Sequence, residues 1–297
     1  MKGIHVSVMT DEVLEVLADI REGWVVDGTV GQAGHALEIL RATPPEVRLL
    51  AFDRDPQAIE ESERKLAPFA KRVRFFQRGY EDLPEVLEQA EIKAVDRILL
   101  DLGLSTTQLD SDRGFAFDHD APLDMQFDPD GGLPAARMIR RISEKTLARD
   151  LKELGQVPAS RRLARVLKER SRRGAMETVA DFVDACREVL GPRVRKMDSA
   201  TLPAMVVRIL TNRELERLDR FLACLPDILS PGGKVAVLSY HSGEDGRVKR
   251  AFRSLAVEGG WSLPYKKGLK PSMEEVSRNR RARSARMRVA VREEVGS

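Results

Sequence analysis

The chain has 297 residues, with 50 Lys and Arg against 47 Asp and Glu, a formal net charge of +3 and 42% hydrophobic residues. That length can bury a sizeable core in one large domain or two modest ones, and the composition excludes global disorder. No apolar run approaches the roughly 20 residues of a membrane span, and the start, MKGIHVSVMTDEV, lacks an apolar signal core.

A cytoplasmic protein that does not associate with membranes is therefore expected, either monomer or homodimer. Cys186 and Cys224 lie in apolar, helix-like contexts and read as buried thiols of a reducing compartment. His5, His35, His119 and His241 show no metal-ligand spacing, so no metal is expected. With charges so nearly balanced, any nucleic-acid role must rest on where the charges lie.

The first helix is expected over HVSVMTDEVLEVL, with Thr10 or Asp11 as its cap and Val13, Leu14 and Leu17 as its apolar positions. The stretch Val25–His35, VVDGTVGQAGH, then reads as strand, turn and helix start, with Gly28, Gly31 and Gly34 in the turn. Such a turn either lets the backbone approach a nucleoside cofactor or is a plain strand-to-helix connection. Its glycines stand three apart, unlike the G-x-G-x-x-G of dinucleotide sites. Asp27 would also repel a pyrophosphate. A cofactor with positive charge suits it better, and S-adenosylmethionine (SAM), a sulfonium with an amino-acid tail, is the common candidate.

The second strand, about Val47 to Phe52, ends at Asp53, about two dozen residues past the first, where an acid can accept both ribose hydroxyls. Asp55 is the better placed of the two to cap the helix that begins near Pro56. A third strand, about Val73 to Gln77, is followed by Gly79, Tyr80, Glu81 and Asp82. Tyr80 either lies against an adenine or is a surface aromatic. The fourth strand, about Arg97 to Leu100, leads to Asp101-Leu102-Gly103. Polar residues at successive carboxyl ends describe a doubly wound α/β sheet with its site along that edge.

The pattern then changes. Ser105 to Asp130 is long and polar, but Leu109, Phe115, Phe117, Leu123, Met125 and Phe127 anchor it as an ordered lid. Residues from Ala135 to about Leu190 read as helices threaded with Arg and Lys, either a solvated face or a phosphate-binding surface. Strand and helix alternation resumes near Thr211, with a helix to about Leu225 and a sharp turn at Pro231-Gly232-Gly233. A strand from Lys234 to Ser239 follows, and Tyr240, His241 and Ser242 stand at its carboxyl end. Apolar residues near Trp261–Tyr265 and the run Ala285–Val291 read as a closing pair of strands. Between them six arginines fall in eleven residues: Arg278, Arg280, Arg281, Arg283, Arg286 and Arg288. The expected organisation is an α/β domain from residues 1–105 and 208–297, with an inserted, mainly helical substrate-recognition domain over 106–207.

Taken together, the motifs resemble a family. They are His5-Val6, Asp27-Gly28-Thr29 through Gly34-His35, Asp53-Arg54-Asp55-Pro56, Leu100-Asp101-Leu102-Gly103, Gln108-Leu109-Asp110, Arg113-Gly114-Phe115 and Pro122-Leu123-Asp124-Met125. Arg208-Ile209 with Asn212, Ser239 with His241-Ser242, and Arg281-Ala282-Arg283-Ser284-Ala285 complete the order. In this order they are similar to the MraW-type methyltransferases, the ribosomal RNA small subunit methyltransferase H family. The resemblance implies a class I SAM-dependent methyltransferase fold with an inserted helical domain. It also implies N4-methylation of a cytidine in the decoding region of 16S ribosomal RNA, so that RNA or the small ribosomal subunit is the expected partner.

By matching motif, the resemblance places cofactor contacts on Ala33, Gly34, His35, Asp53, Tyr80, Asp101 and Gln108. Catalytic candidates are Asp101 or a neighbouring carbonyl in the Leu102–Ser105 turn first, as an acceptor near the cytosine amine, then Ser239 or His241, which alternatively bonds a nearby loop. RNA contacts are expected from Arg113, Arg208, Arg280, Arg281 and Arg283.

The chain departs from the family mainly on its substrate side. The usual Thr-Arg-Thr-Phe-Gln-Ala-Leu is Thr201-Leu202-Pro203-Ala204-Met205-Val206-Val207 here, and the usual Ser-Phe-His-Ser is Ser239-Tyr240-His241-Ser242. Two alternatives therefore stay open: a methyltransferase acting on a different RNA, or a SAM-binding ribosome assembly factor that has lost transfer.

Overall fold

A computed structural model describes residues 7–117, 121–194 and 196–294, so His5, Val6 and His119 lie outside it. The chain divides into two compact units, Met1–Ser105 with Leu215–Ser297, and Thr106–Glu214.

The first unit begins with α1 (Thr10–Leu17), β1 (Gly23–Asp27), α2 (Gly34–Ala42), β2 (Val47–Phe52), α3 (Pro56–Leu66), β3 (Val73–Phe76), α4 (Leu83–Gln89) and β4 (Val95–Asp101). Local chemistry sets several of these starts. Asp55 accepts from the Gln57 N–H at 3.1 Å, and Pro56 takes the first helical position of α3, where its missing N–H costs nothing. No side chain among the described residues caps α1; Met9 precedes it in the left-handed region, and its N–H donates to Glu275 Oε1 at 2.7 Å.

The second unit holds α5 (Thr106–Leu109), α6 (Ala135–Arg141), α7 (Glu144–Glu153), α8 (Ser160–Arg172), α9 (Val179–Leu190), the ribbon β5 (Arg193–Val194) with β6 (Met197–Asp198), and α10 (Thr201–Asn212). The buried Lys168 ammonium of α8 donates to the carbonyls of Ile139, Arg140 and Ile142 at 2.9, 2.6 and 2.6 Å. It thus satisfies acceptors that α6 leaves open at its end. The long polar stretch before α6 is anchored inside this unit. Asn212 donates to Met125 O at 2.7 Å and accepts from Phe127 N at 2.8 Å, while Phe115 stacks on Phe127.

The chain then runs through α11 (Glu214–Ile228), β7 (Leu229–Ser239), α12 (Ser242–Glu258), β8 (Trp261–Ser262), α13 (Met273–Arg278) and β9 (Arg286–Arg292). The second division falls at Glu214–Leu215, beyond residue 207, because α10 runs unbroken through that position and ends only at Asn212.

Seven strands form one sheet in the order β3-β2-β1-β4-β7-β9-β8. β1 to β4 and β7 run parallel, and β9 runs antiparallel between β7 and β8. Alternate residues along each strand supply two cores, as period-two geometry requires. Val25, Leu49, Leu99, Ala236 and Leu238 pack with α1 and α2 on one face; Val26, Leu50, Phe52, Ile98, Leu100 and Val237 pack with α4, α11 and α12 on the other. Pro231-Gly232-Gly233 does not precede β7 as a turn. It lies within the strand as an irregularity, where Val95 pairs with Leu229 but Arg97 pairs with Lys234. Gly232 has φ +74°, and a Cβ on Gly233 would stand 2.6 Å from Ser230 O.

Candidate active site at the carboxyl edge

The sheet changes direction between β1 and β4, since β2 and β3 lie to one side and β4 to the other. Open α/β sheets bind ligands at such a switch point, beyond the carboxyl strand ends. Here the edge carries Asp27 from β1, Asp53 after β2 and Asp101 from β4.

The turn after β1 ties these acids together. Thr29 N donates to Asp27 Oδ1 at 3.2 Å, and the Thr29 hydroxyl accepts from Asp101 N at 2.7 Å. Asp53 accepts from Gly31 N through Oδ2 and from Asp55 N through Oδ1, both at 3.0 Å, and the Arg54 backbone also bonds to it. The glycines divide their roles. A Cβ on Gly28 would stand 2.3 Å from Leu100 and 2.9 Å from Tyr80, and one on Gly34 would stand 1.8 Å from Ser7 Oγ, so packing fixes both. Gly31, at φ +48°, has nothing closer than 3.8 Å to such an atom. A Cβ there would make only ordinary van der Waals contact with Thr29 O and Ser105 Cβ. Ala33, at φ 54°, leads into α2 with no side-chain cap on the helix.

Burial sets the electrostatics. Asp27 is 2% exposed, and burial pushes its pKa up to about 7; burial likewise pushes Asp53 up to about 6. His35, 5% exposed, would be pushed down by burial, but the Asp101 and Asp27 carboxylates outweigh this and raise it. Its Nε2 lies 3.5 Å from Asp101 Oδ2, and neither ring nitrogen makes a hydrogen bond among the described residues. The other Asp101 oxygen accepts from the Tyr240 hydroxyl at 2.6 Å, and burial with that carboxylate raises the Tyr240 pKa. Tyr80 stands at the tip of β3, edge-on to Phe221 at 5.5 Å.

These residues fit a cationic nucleoside sulfonium. Buried carboxylates held partly protonated ionise more readily when a positive charge arrives, and Nδ1 of His35 makes no hydrogen bond among the described residues.

Several expected residues do other work. Ser239 is 1% exposed and its hydroxyl donates to Arg286 O at 3.3 Å, a bond between β7 and β9. It is therefore a sheet residue and is withdrawn as a catalytic candidate. His241 Nε2 lies 3.1 Å from Oε1 of the buried Glu244, whose Oε2 accepts from Tyr240 N at 2.9 Å. Arg208 is 9% exposed and clamped by Glu214 through two bonds of 2.9 and 3.0 Å, which removes it from RNA contact. Arg113 donates to Phe127 O at 3.0 Å and Gln126 O at 3.4 Å and lies against Phe115, so it shapes its own loop. The arginine cluster divides as well. Arg280, Arg281 and Arg283 are exposed, whereas Arg288 is buried and bonded to Asp245 at 2.6 and 3.1 Å. Gln108 lies on α5 of the second unit. Sequence reasoning placed Tyr240 at this edge but gave Thr29, Tyr240 and Glu244 no role in the site.

Counting only the strands of the main sheet, the order is third, second, first, fourth, fifth, seventh, sixth, with the seventh antiparallel. With acids along its carboxyl edge, this is the class I SAM-dependent methyltransferase fold. The chain belongs to the MraW methylase family, whose profile matches residues 2–293. It is 40% identical over 306 residues to ribosomal RNA small subunit methyltransferase H of Geotalea uraniireducens, covering 96% of this chain and 97% of that protein. The protein of the same name from Rhodopirellula baltica is 40% identical over 302 residues, covering 98% and 92%. That from Desulfosudis oleivorans is 37% identical over 305 residues, covering 96% and 98%. No helix among the described residues is long and apolar enough to cross a membrane.

Proposed function

We propose that this chain methylates N4 of a cytidine in the decoding region of 16S ribosomal RNA, using SAM, with the small ribosomal subunit or its RNA as partner. The observation that carries the reading is the end-to-end match to relatives named ribosomal RNA small subunit methyltransferase H. The acid-lined edge supplies chemistry in keeping with it.

When bound, SAM supplies a methyl group already activated by its sulfonium. Asp53 would accept from the ribose hydroxyls, and Tyr80 would face the adenine. The uncapped start of α2, at Ala33, Gly34 and His35, suits the carboxylate of the amino-acid tail. Gln108 is assigned to the cofactor by its motif alone.

A cytosine amine is a weak nucleophile because its lone pair is delocalised into the ring. Alignment is the main task, and orientation alone supplies roughly 7–11 kcal/mol. Asp101 is the acceptor for the amine proton, held in place by Tyr240 and Thr29. His241, set beside Glu244, is the second candidate. Arg280, Arg281 and Arg283, exposed near the end of the chain, are assigned to RNA contact. The residues 106–214 are assigned to substrate recognition.

The test is transfer of a labelled methyl to small subunits lacking the modification, followed by digestion to nucleosides and mass analysis. N4-methylated cytidine is expected. Leu202, Ala204 and Met205 stand on α10 where the family has Arg, Phe and Gln, and this favours a second reading, a different RNA target. A different labelled nucleoside would establish it, and no label on any RNA would leave a binding factor without transfer.

A further inference from the structure

The amino ends of β1, β2 and β3 form a feature that the methyl-transfer site does not use. Trp24, Arg48 and Arg74 lie on one face of the sheet, with Trp24 opposite Arg48 in register. Both guanidiniums reach the same indole, Arg48 at 5.4 Å from its centre and Arg74 at 5.2 Å. They edge a hollow of about 440 Å³ whose lining also includes Glu91, Lys93 and Ser230. Arg48, Arg74 and Lys93 are exposed, and none of the three forms an ion pair among the described residues. The carboxylate of Asp96 accepts from the backbone N–H of Trp24 at 2.8 Å, and Glu91 is the other acid nearby.

Holding two like charges over one ring is unfavourable unless an anion joins them, although the ring quadrupole offsets part of the repulsion. Three cations against Glu91 and the nearby Asp96 leave the hollow positive by one. Guanidiniums pre-positioned on an indole lose little further freedom on binding, match a phosphate in two-pronged geometry and offer flat faces for a base. A row of phosphates and bases answers both features, and an acidic peptide answers only the charge.

We propose that this hollow binds a stretch of RNA backbone, as a second RNA-contacting surface at the strand ends opposite the acid-lined edge. It rests on the reading of RNA as substrate and adds to that reading where the substrate is held.

The test compares wild type with Arg48→Gln/Arg74→Gln and with Arg48→Lys/Arg74→Lys, using fluorescence polarisation of labelled 16S ribosomal RNA fragments over a salt series. SAM affinity and the thermal midpoint are measured on each. The Gln pair should bind RNA about tenfold more weakly, with its salt slope smaller by about two. The Lys pair should recover most of the slope, and SAM affinity and thermal midpoint should stay at wild-type values. In a Trp261→Phe background, where Trp24 is the remaining tryptophan, RNA should quench the fluorescence. If wild type binds and methylates RNA while the Gln pair keeps its affinity and slope, the hollow is not an RNA surface and the methylating reading stands. If polyglutamate displaces the RNA in proportion to its charge and leaves the indole unquenched, the surface belongs to an acidic protein and the proposal falls. If wild type binds no RNA, both fall together.

Discussion

Asp27, Asp53 and Asp101 stand at the carboxyl ends of β1, β2 and β4, and Trp24, Arg48 and Arg74 stand at the amino ends of β1, β2 and β3. About 10 to 17 Å of strand separates the two edges. At the carboxyl edge burial holds two carboxyls partly neutral, and at the amino edge the guanidiniums are exposed and keep their charge. Charge type and burial together decide what an edge can respond to. The acid edge responds to pH and to an incoming cation. The basic edge responds to salt, which screens exposed charge and barely affects buried charge.

The largest expected effect falls on the acid edge. Asp53→Ala removes the acceptor for two ribose hydroxyls and should weaken SAM binding about a hundredfold, or about 3 kcal/mol, by calorimetry. Unchanged affinity would take Asp53 out of the site and break the contrast between the edges.

The next test separates two kinds of arginine within one segment. Arg288→Ala leaves Asp245 without its main partner and should cost about 2–3 kcal/mol of stability in denaturant titration, with the RNA salt slope unmoved. Replacing Arg280, Arg281 and Arg283 with alanine should do the reverse, leaving stability alone and flattening the slope by about three. If the triple variant instead lost stability and kept its slope, these arginines would be structural.

A smaller effect is expected from Tyr240→Phe, which restores the residue usual in the family. Losing the donor to Asp101 should lower stability by about 1.5 kcal/mol in a thermal melt and change SAM affinity by less than about twofold. A large loss of SAM affinity would make Tyr240 a cofactor contact.

The smallest is a pH effect. Asp27 and Asp53 have folded-state pKa values of about 7 and about 6, raised from 3.8. Their contribution to stability is full below the ordinary value and is lost as pH rises through about 6 to 7. A bound cation favours the ionised forms, so SAM affinity should rise about fivefold between about pH 5.5 and 8, with protons released on binding. S-adenosylhomocysteine lacks the sulfonium charge and should gain less. Equal pH dependence for the two ligands would sink the electrostatic account of this edge.

The acid edge was legible in sequence because each acid follows a β-branched, apolar strand, and Asp55-Pro56 announces the cap that frees Asp53. The MraW resemblance was legible because its motifs recur in order along the chain, several of them at strand ends. Partnerships between distant residues were not legible. Nothing local shows that Tyr240 reaches Asp101, 139 positions away. Arg208 carried a usable signal: helical spacing puts it on one face with Ala204 and Asn212, both buried, and Glu214 follows close behind. The ribbon of β5 and β6, two residues each, is too short for any period to register. The irregularity in β7 was hidden because Pro-Gly-Gly carries the same local signal in a turn and in a bulge.

The position of β9 bears on how the chain matures during synthesis. β8 pairs within the main sheet only with β9, and β9 also completes the far side of β7. The strand made last is thus inserted between two made earlier. Until Arg286–Arg292 emerge, β7 presents an open, apolar edge of the kind that recruits other chains, and Trp261 has no strand to lie beside. The helices of the second unit form most of their contacts among themselves and have no such wait. A growing chain therefore carries one finished unit and one unfinished sheet. A nascent chain halted before residue 286 is the form most exposed to aggregation.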